Sequence, residues 1–393
     1  MFGLLAFGAL GSYGLARPAV ESIFLGTYGA EALPYVWLAV AVVAMAVVGF
    51  YNRYATHVHP AQLFGVASLV SAVTLVGLLL ARALELPGSD FALYVWKDVY
   101  IVVLVEIFWT YANQVFPIDR ARWLYGGFLL AGAAGSVLSE LGVGWIAERW
   151  GTTYAVWAVV PLLVVLSLGC IPLVRSLAPS VGQVARPEMP SFRASFSVVR
   201  QSPYVGLLLA LIAITQVVIT LVDYQFNAIV AEHLPQQDAR TALIGQVYAA
   251  ISTTVIVLNA ISALVLRYVG ISKTLLAIPS ILGLTLVGAA VGPVFAAMVV
   301  AKVVSKAFDY SLFRSAKEIL YIPLSDVEKT RGKAIVDMLG YRVAKGFASV
   351  LILGLGAMDV LTAVTALTLA LTLVWVRLTL ALVRGFRARS SDL

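Results

Sequence analysis

Long apolar runs alternate with short polar segments along most of this chain. About 20 apolar residues suffice for a helix to cross the ~30 Å hydrocarbon core of a bilayer. The pattern predicts twelve such helices, the first of which starts at the beginning of the chain. Their predicted limits are Phe2–Thr27, Leu33–Tyr51, Ala61–Leu84, Phe91–Phe116, Leu124–Ala147, Thr153–Val174, Tyr204–Ala231, Thr241–Leu266, Thr274–Val291, Pro293–Phe313, Ala334–Met358 and Val360–Val383.

The composition supports this interpretation. The chain is 61% hydrophobic and 12% charged, with a mean hydropathy of +0.95, whereas soluble domains carry about 25% charged residues. We therefore predict an all-α polytopic membrane protein. The single cysteine, Cys170, excludes an intrachain disulfide framework. The sequence contains no nucleophile–base set on a polar segment, so we expect no enzyme, no metal site and no cofactor.

Basic residues between the spans are unevenly distributed, which predicts the orientation. Those on the predicted inner side include Arg120, Arg122, Arg175, Arg186, Arg193, Arg200, Lys329, Arg331, Arg384, Arg387 and Arg389; those on the outer side are Arg82, Arg149 and Arg240. This bias places both termini in the cytoplasm, and we expect a bacterial inner membrane. The net charge of +7 then reflects topology and contact with anionic lipid, so we expect no nucleic-acid partner.

The chain contains an internal repeat. The polar stretch Arg175–Pro203 divides it into a first half (1–175), a linker (176–203) and a second half (204–393). Ala30–Pro34 (AEALP) closes the first span and Ala231–Pro235 (AEHLP) closes the seventh. Two further matches follow in the same order: Arg53-Tyr54 with Arg267-Tyr268, and Phe116–Asp119 with Ile322–Asp326. Two pseudo-symmetric six-helix halves are the major facilitator architecture, whose halves rock about a midplane site.

Charged residues occur within the predicted spans. The acids are Glu21, Asp98, Glu106, Glu140, Asp223, Asp309 and Asp337, and the bases are Arg17, Lys97, Lys302, Lys306, Arg342, Lys345 and Arg377. A charge at the bilayer centre costs roughly 2.5–3.5 kcal/mol even on the insertion scale that gives the lowest values. Such residues face a water-filled cavity or pair with one another, so the pattern favours a polar pathway through the bundle.

Several of these residues share a helical face. Arg17 and Glu21 are four residues apart, as are Asp223 and Asn227, and Glu106 and Asn113 are seven apart. Two longer stripes are Lys302, Lys306 and Asp309, and Asp337, Tyr341 and Lys345. Lysine and arginine in a cavity suit a phosphate-bearing anion, and aromatic side chains could stack on a base.

We therefore predict two sets of site residues. The substrate-binding set is Lys345, Arg342, Lys306, Lys302, Asp223, Asn227, Tyr111 and Asn113; the gating or coupling set is Arg17, Glu21, Glu106, Asp309 and Asp337. Asp223 and Glu106 are candidates for carrying a coupling proton. The alternative for each residue is a salt bridge between helices that has only a structural role.

Four segments resemble one known family. Lys317–Asp337 (KEILYIPLSDVEKTRGKAIVD) is similar to the "KEMxYIPL…KxKGKAAxD" signature of the ATP/ADP translocases of plastids and intracellular bacteria. Gly340–Gly346 resembles that family's "GxRxGKSGG", Phe108–Gln114 its "FWGFANQ" and Ala30–Pro34 its "AEIIPF". The resemblance implies twelve helices, a facilitator-like fold, and exchange of ATP for ADP or proton-driven import of nucleotides.

The family's functional positions are only partly retained. The resemblance places the basic residue of the GK box at Lys345 and an acid of the seventh helix at Asp223. A lysine that follows the "AEIIPF" box corresponds to Trp37, and a glutamate of the fourth helix corresponds to Lys97.

The sequence thus predicts a monomeric secondary transporter that moves a nucleotide or another phosphate-bearing anion by alternating access. Two alternatives remain open at this point. One is a carrier of a different solute, such as a lipid, drug or organic anion, on the same scaffold. The other is a membrane sensor or assembly protein that does not transport, in which the intramembrane charges would pair fully.

Overall fold

The structure is a computed structural model that describes residues 1–54, 58–176, 192–291, 294–325, 328, 332–333, 336, 340, 343–355 and 360–390. Regular secondary structure in these residues is helical throughout. The helices are α1 (Phe2–Tyr28), α2 (Leu33–Tyr54), α3 (Pro60–Ala83), α4 (Ser89–Val115), α5 (Ile118–Trp150), α6 (Thr152–Trp157), α7 (Val159–Ser176), α8 (Phe192–Gln201), α9 (Pro203–His233), α10 (Gln237–Tyr268), α11 (Ile271–Val291), α12 (Val294–Phe308), α13 (Arg314–Leu320), α14 (Ala344–Gly354) and α15 (Val360–Ser390).

These helices confirm the predicted all-α membrane fold. In the described part of the chain, eight helices are long and apolar enough to cross a membrane. The charge-bearing helices α1 and α4 have 27 residues each and are therefore about 40 Å long. Every predicted span overlaps a helix, although the eleventh is described mainly by α14.

Two spans differ in detail from the prediction. The sixth is interrupted at Ala158, which separates α6 from α7. The tenth contains a π-helical turn, Asp309–Phe313, between α12 and α13, and ends at Leu320 rather than Phe313. A π turn changes which residues share a helical face, and this one begins at a residue of the predicted polar stripe.

Contacts divide the chain into two units. The first unit holds Met1–Ala32, Leu38–Arg186 and Leu234–Thr253. The second holds Leu33–Trp37, Pro187–His233 and Thr254–Leu393. Residues 234–253 belong to the predicted second half, yet they pack with the helices of the first unit, and α10 is divided between the units after Thr253.

The first unit is built around α1, which packs against α4, α5 and α7. Small residues let α1 and α5 approach closely. A Cβ atom at Gly135 would lie 2.2 Å from the carbonyl oxygen of Phe7, and one at Gly14 would lie 2.9 Å from that of Ser136. Close approach of backbones through small residues is a main source of helix association in membranes.

The second unit is built around α9, which packs against α12, α14 and α15. The hydroxyl of Tyr204 donates to the carbonyl oxygen of Leu320 at 2.9 Å, which fixes the start of α9 to the end of α13. The rings of Phe313 and Trp375 meet edge to face, with centroids 6.2 Å apart. Thus α9 holds the polar residues Asp223 and Asn227 in the middle of its unit.

Candidate functional site

A group of charged and aromatic side chains lies between α1, α4, α5 and α10 of the first unit. We call it the first charged cluster; it comprises Tyr13, Arg17, Glu21, Lys97, Asp98, Glu140 and Tyr248. Lys97 Nζ donates to Asp98 Oδ1 at 2.8 Å and lies 3.5 Å from Glu21 Oε1. Arg17 Nε donates to the same Glu21 oxygen at 3.3 Å. Glu21 therefore interacts with cations from two helices.

Aromatic side chains complete these interactions. The Tyr248 hydroxyl donates to Glu21 Oε2 at 2.8 Å, and the Arg17 guanidinium lies 3.8 Å from the centroid of the Tyr248 ring. The Tyr13 hydroxyl donates to Asp98 Oδ1 at 3.3 Å. A cation over an aromatic face is stabilised by the ring quadrupole, most strongly when it is desolvated.

The central groups of this cluster are deeply buried. Lys97 is 1% exposed and Glu21 is 5% exposed. Removing one partner of a buried ion pair typically destabilises a protein by about 3–5 kcal/mol, because the other charge is left uncompensated. The structure thus brings the predicted pair Arg17 and Glu21 together and adds Lys97, Asp98 and Tyr248 to it.

The second unit contains a matching arrangement on α9 and α12. Lys302 Nζ donates to Asp223 Oδ1 at 2.8 Å. Lys306 Nζ lies 2.8 Å from the other carboxylate oxygen, Asp223 Oδ2. Gln216 Nε2 donates to Asp309 Oδ1 at 3.0 Å. We call these five residues the second charged cluster. One carboxylate therefore holds two ammonium groups that lie one turn apart on α12.

Neighbouring side chains shape this second charged cluster. Asn227 Nδ2 donates to the backbone carbonyl of Asp223 at 2.8 Å, and Asn227 Oδ1 is buried without a hydrogen-bond donor among the described residues. Lys302 is 1% exposed and its Nζ lies 4.9 Å from the centroid of the Phe226 ring. An amide oxygen without a donor beside two lysines is a polar group that a ligand can satisfy.

Lys345 lies near the start of α14, and its Nζ is 5.4 Å from the centroid of the Trp37 ring. Trp37 is 4% exposed, so this cation contacts a buried aromatic surface within the second unit. The predicted site residues Arg342 and Asp337 lie outside the described residues.

Three predicted site residues of α4 lie elsewhere. Tyr111 is 1% exposed and packs against Phe2, with ring centroids 4.7 Å apart. Asn113 is exposed and accepts a hydrogen bond from the Tyr125 hydroxyl at 2.7 Å. Glu106 is also exposed. None of the three shares a hydrogen bond or ion pair with either charged cluster within the described part of the chain.

The sequence pattern places Arg240 in the polar segment before the eighth span, and this placement is wrong. In the structure α10 already begins at Gln237, and Arg240 is 2% exposed. Its Nη2 donates to the carbonyl oxygen of Ser22 at 2.6 Å and its Nη1 to that of Leu234 at 3.2 Å. No group of three or more histidine, cysteine or acidic residues capable of holding a metal occurs in the described ranges.

Comparison with known proteins decides the family. A model of the TLC ATP/ADP transporter family matches residues 91–386. The chain belongs to the TLC ATP/ADP transporter family. This confirms the predicted family, and the matched region includes Asp223, Lys302, Lys306 and Lys345.

Curated relatives in the TLC family are distant. ADP,ATP carrier protein 1 of Chlamydia muridarum is 26% identical over 348 residues, which are 76% of this chain and 66% of the relative. ADP,ATP carrier protein 1 of Rickettsia bellii is 26% identical over 288 residues, or 64% of this chain and 58% of the relative. This chain therefore spans 58–66% of the length of these relatives.

Solved transporters share the fold of this TLC family member. The POT family transporter PepTSo superimposes with a TM-score of 0.69 at 11% identity, with 98% of each chain covered. A variant of the nucleoside transporter NupG superimposes with a TM-score of 0.67 at 11% identity, covering 99% of this chain and 98% of the other. At such low identity the likeness shows the fold alone, which is the predicted facilitator-like one.

Proposed function

We propose that this chain is a secondary transporter that moves a nucleotide or another phosphate-bearing anion by alternating access of its two six-helix halves, residues 1–175 and 204–393. The observation that carries the proposal is the second charged cluster, in which Lys302 and Lys306 converge on one carboxylate, Asp223. Lysine ammonium groups are common phosphate ligands. The relatives named as ADP,ATP carriers support the choice of substrate.

The charge balance of the second charged cluster fits such a substrate. With no anion bound, Asp223 compensates the charges of the two lysines, of which Lys302 is buried. A phosphate group carries more negative charge than a carboxylate and accepts more hydrogen bonds. It can therefore displace Asp223 from one or both lysines, and loss of the substrate restores the internal pair.

Other residues are assigned roles by position. We assign Lys345 and Arg342 to a second anion contact, because they are three residues apart in the sequence segment Gly340–Gly346 that resembles the family's GK box. We assign Asn227 to a polar contact beside Asp223. Tyr111 and Asn113 remain candidates for the substrate-binding set. We assign gating or coupling roles to Arg17, Glu21, Glu106, Asp309 and Asp337.

The placement of the molecule is part of the proposal. The uneven distribution of lysine and arginine between the spans supports a bacterial inner membrane with both termini in the cytoplasm. We propose a monomer, since both charged clusters are built from residues of one chain.

Thermal unfolding in detergent tests ligand binding, because a ligand that binds only the folded protein raises its apparent stability. We expect ATP or ADP to raise the Tm more than phosphate or pyrophosphate does. The Lys345→Gln variant should lose most of this shift. The Lys273→Gln variant, which changes an exposed lysine at the start of α11, should retain it. An equal shift in both variants would remove Lys345 from the site.

A carrier of a different solute is the second candidate, and Trp37 favours it. A buried tryptophan stands where the family resemblance implies a lysine, and it stacks against Lys345. This candidate predicts no Tm shift with any nucleotide and a shift with an organic anion. A sensor that does not transport would give a Tm shift without flux into liposomes.

A further inference from the structure

Glu140 differs from the other acids of the first charged cluster. It lies on α5 and is 5% exposed, yet its Oε2 atom has no hydrogen-bond partner among the described residues. Ser136, one turn earlier on α5, Ser252 on α10 and Arg17 on α1 lie around its carboxyl group. Arg17 itself is bound to Glu21.

The charges around Glu140 do not balance when it is ionised. Arg17 of α1 acts on Glu140 and also pairs with Glu21. On α4, Lys97 pairs with both Asp98 and Glu21. Counted over the described residues alone, the first charged cluster then has two cations and three carboxylates. A single proton on Glu140 makes it neutral. A buried carboxylate that lacks a full set of partners is strongly disfavoured relative to the neutral acid.

Other ionisable groups on the surrounding helices have partners of their own. On α10 the Tyr248 hydroxyl donates to Glu21, Arg240 donates to backbone carbonyls, and Asp238 accepts from Thr152. Tyr13 on α1 donates to Asp98. On α5 itself, Glu148 and Arg149 are exposed. Arg17 therefore interacts with both Glu140 and Glu21, and Glu21 also pairs with Lys97.

Glu140 also lies where three helices come closest. A Cβ atom at Gly245 of α10 would lie 2.7 Å from the Glu140 carbonyl oxygen, and one at Gly14 of α1 would lie 3.4 Å from Glu140 Cγ. One turn further along α5, a Cβ at Gly144 would lie 3.1 Å from Cα of Ala242. The backbones of α5 and α10 are therefore in close contact at Glu140, whose side chain is buried beside them.

We propose that Glu140 is a proton-binding site and that the bound proton stabilises the packing of the first half of α10 against α1 and α5. The proton comes from water and adds to a carboxylate oxygen of Glu140. When the proton leaves, the buried carboxylate requires hydration, and we infer that α10 moves away from α5 to admit water. Proton binding by Glu140 does not depend on the proposed function. Its consequence, the coupling of this proton to substrate movement, rests on the proposed function.

Infrared spectroscopy tests proton binding without any substrate. At about pH 6 exposed carboxyl groups are ionised. A carbonyl band of protonated carboxyl groups that persists at this pH therefore comes from buried acids. We expect the Glu140→Gln variant to lose such a band and Glu148→Gln, an exposed glutamate on the same helix, to keep it. A spectrum that is the same in wild type and Glu140→Gln at every pH overturns the proposal.

Cysteine labelling tests the effect on α10. Cys170 is the single cysteine, so a Cys170→Ala background allows a reporter to be introduced as Ala249→Cys in the buried part of α10. The labelling rate of this reporter is measured with Glu140 intact and with Glu140→Gln, and the first rate is divided by the second. We expect this ratio to rise with pH by up to about tenfold per pH unit. The division removes the titration of the thiol. A flat ratio overturns the proposal whether or not the wild type transports ATP or ADP.

Discussion

Arg240 Nη2 donates to the carbonyl oxygen of Ser22 at a distance of 2.6 Å, so the start of α10 is bound to the last turns of α1. Arg240 Nε also donates to the Ser22 hydroxyl at 3.2 Å, and that hydroxyl donates to the carbonyl oxygen of Gln237 at 2.7 Å. The two helices are therefore joined by reciprocal hydrogen bonds within the first unit.

Replacing Arg240 should destabilise the packing of α10. The Arg240→Gln variant loses the charge-assisted hydrogen bonds to the carbonyl oxygens of Ser22 in α1 and of Leu234. We expect a loss of about 2–4 kcal/mol in the free energy of unfolding. Chemical unfolding in mixed micelles measures it. Arg149→Gln, at an exposed arginine near the end of α5, should change stability by less than about 0.5 kcal/mol; equal losses in both variants would contradict the hydrogen-bonding role.

The close approach of α1 and α5 makes Gly135 sensitive to substitution. A Cβ atom there would lie 2.2 Å from the Phe7 carbonyl oxygen, so the backbones must separate in Gly135→Ala. We expect a loss of about 3 kcal/mol, at the upper end for overpacking. Gly127→Ala is the matched control, because its Cβ meets nothing within 4 Å and alanine is the better helix former by about 1 kcal/mol. A stable Gly135→Ala protein would mean that the helices lie further apart.

Asp223 should be energetically coupled to the lysines it binds. Asp223→Asn leaves Lys302, which is 1% exposed, without its carboxylate, and we expect a loss of about 3–5 kcal/mol. Adding Lys302→Met should recover most of that loss, which gives a coupling energy of about 1–3 kcal/mol in a double-mutant cycle. The same cycle with the exposed Lys273 should be additive to within about 0.5 kcal/mol. Additivity with Lys302 would contradict the ion pair.

Glu328, between α13 and α14, should make the folded protein less stable at acid pH. Although burial alone would raise its pKa, hydrogen bonds from Ser202, the Ser325 backbone N–H and Arg389 lower the pKa from 4.5 to about 2. A lowered carboxyl pKa stabilises the folded protein above pH 4.5, and this contribution is lost as the pH falls towards 2.

We therefore expect the Tm of the wild type to fall more steeply than that of Glu328→Gln between about pH 4.5 and pH 2. The control is Glu318→Gln, because the ion pair of Glu318 with Lys333 is about half exposed and such pairs contribute little. Parallel curves for wild type and Glu328→Gln would show that Arg389 does not hold this carboxylate.

The sequence predicts contacts within one helix better than contacts between helices. Arg17 and Glu21 are four residues apart, and this spacing alone predicts their ion pair, which the structure contains. The spacing also places Lys302 and Lys306 on one face of α12. Their common partner, Asp223, is 79 residues from Lys302. Helical periodicity fixes the face of a residue and not the helix it meets, so this partner could not be predicted.

Asp309 and Glu140 show two further limits. Spacing predicts one stripe of Lys302, Lys306 and Asp309, but a π-helical turn begins at Asp309, which accepts from Gln216. A π turn depends on tertiary contacts rather than on a residue pattern. Glu140 has no oppositely charged residue within a helical turn, so the sequence marks it as an intramembrane acid without indicating its environment.

Exchange in liposomes tests the central claim most directly. Purified protein is reconstituted into vesicles loaded with ADP, and the uptake of labelled ATP is compared with that into empty vesicles. We expect rapid uptake that requires internal ADP, is reduced at least tenfold in the double variant Lys302→Gln, Lys306→Gln, and is unchanged in Lys273→Gln. ATP uptake no faster than in protein-free vesicles, from protein that folds and is correctly inserted, would contradict the assignment of a nucleotide carrier.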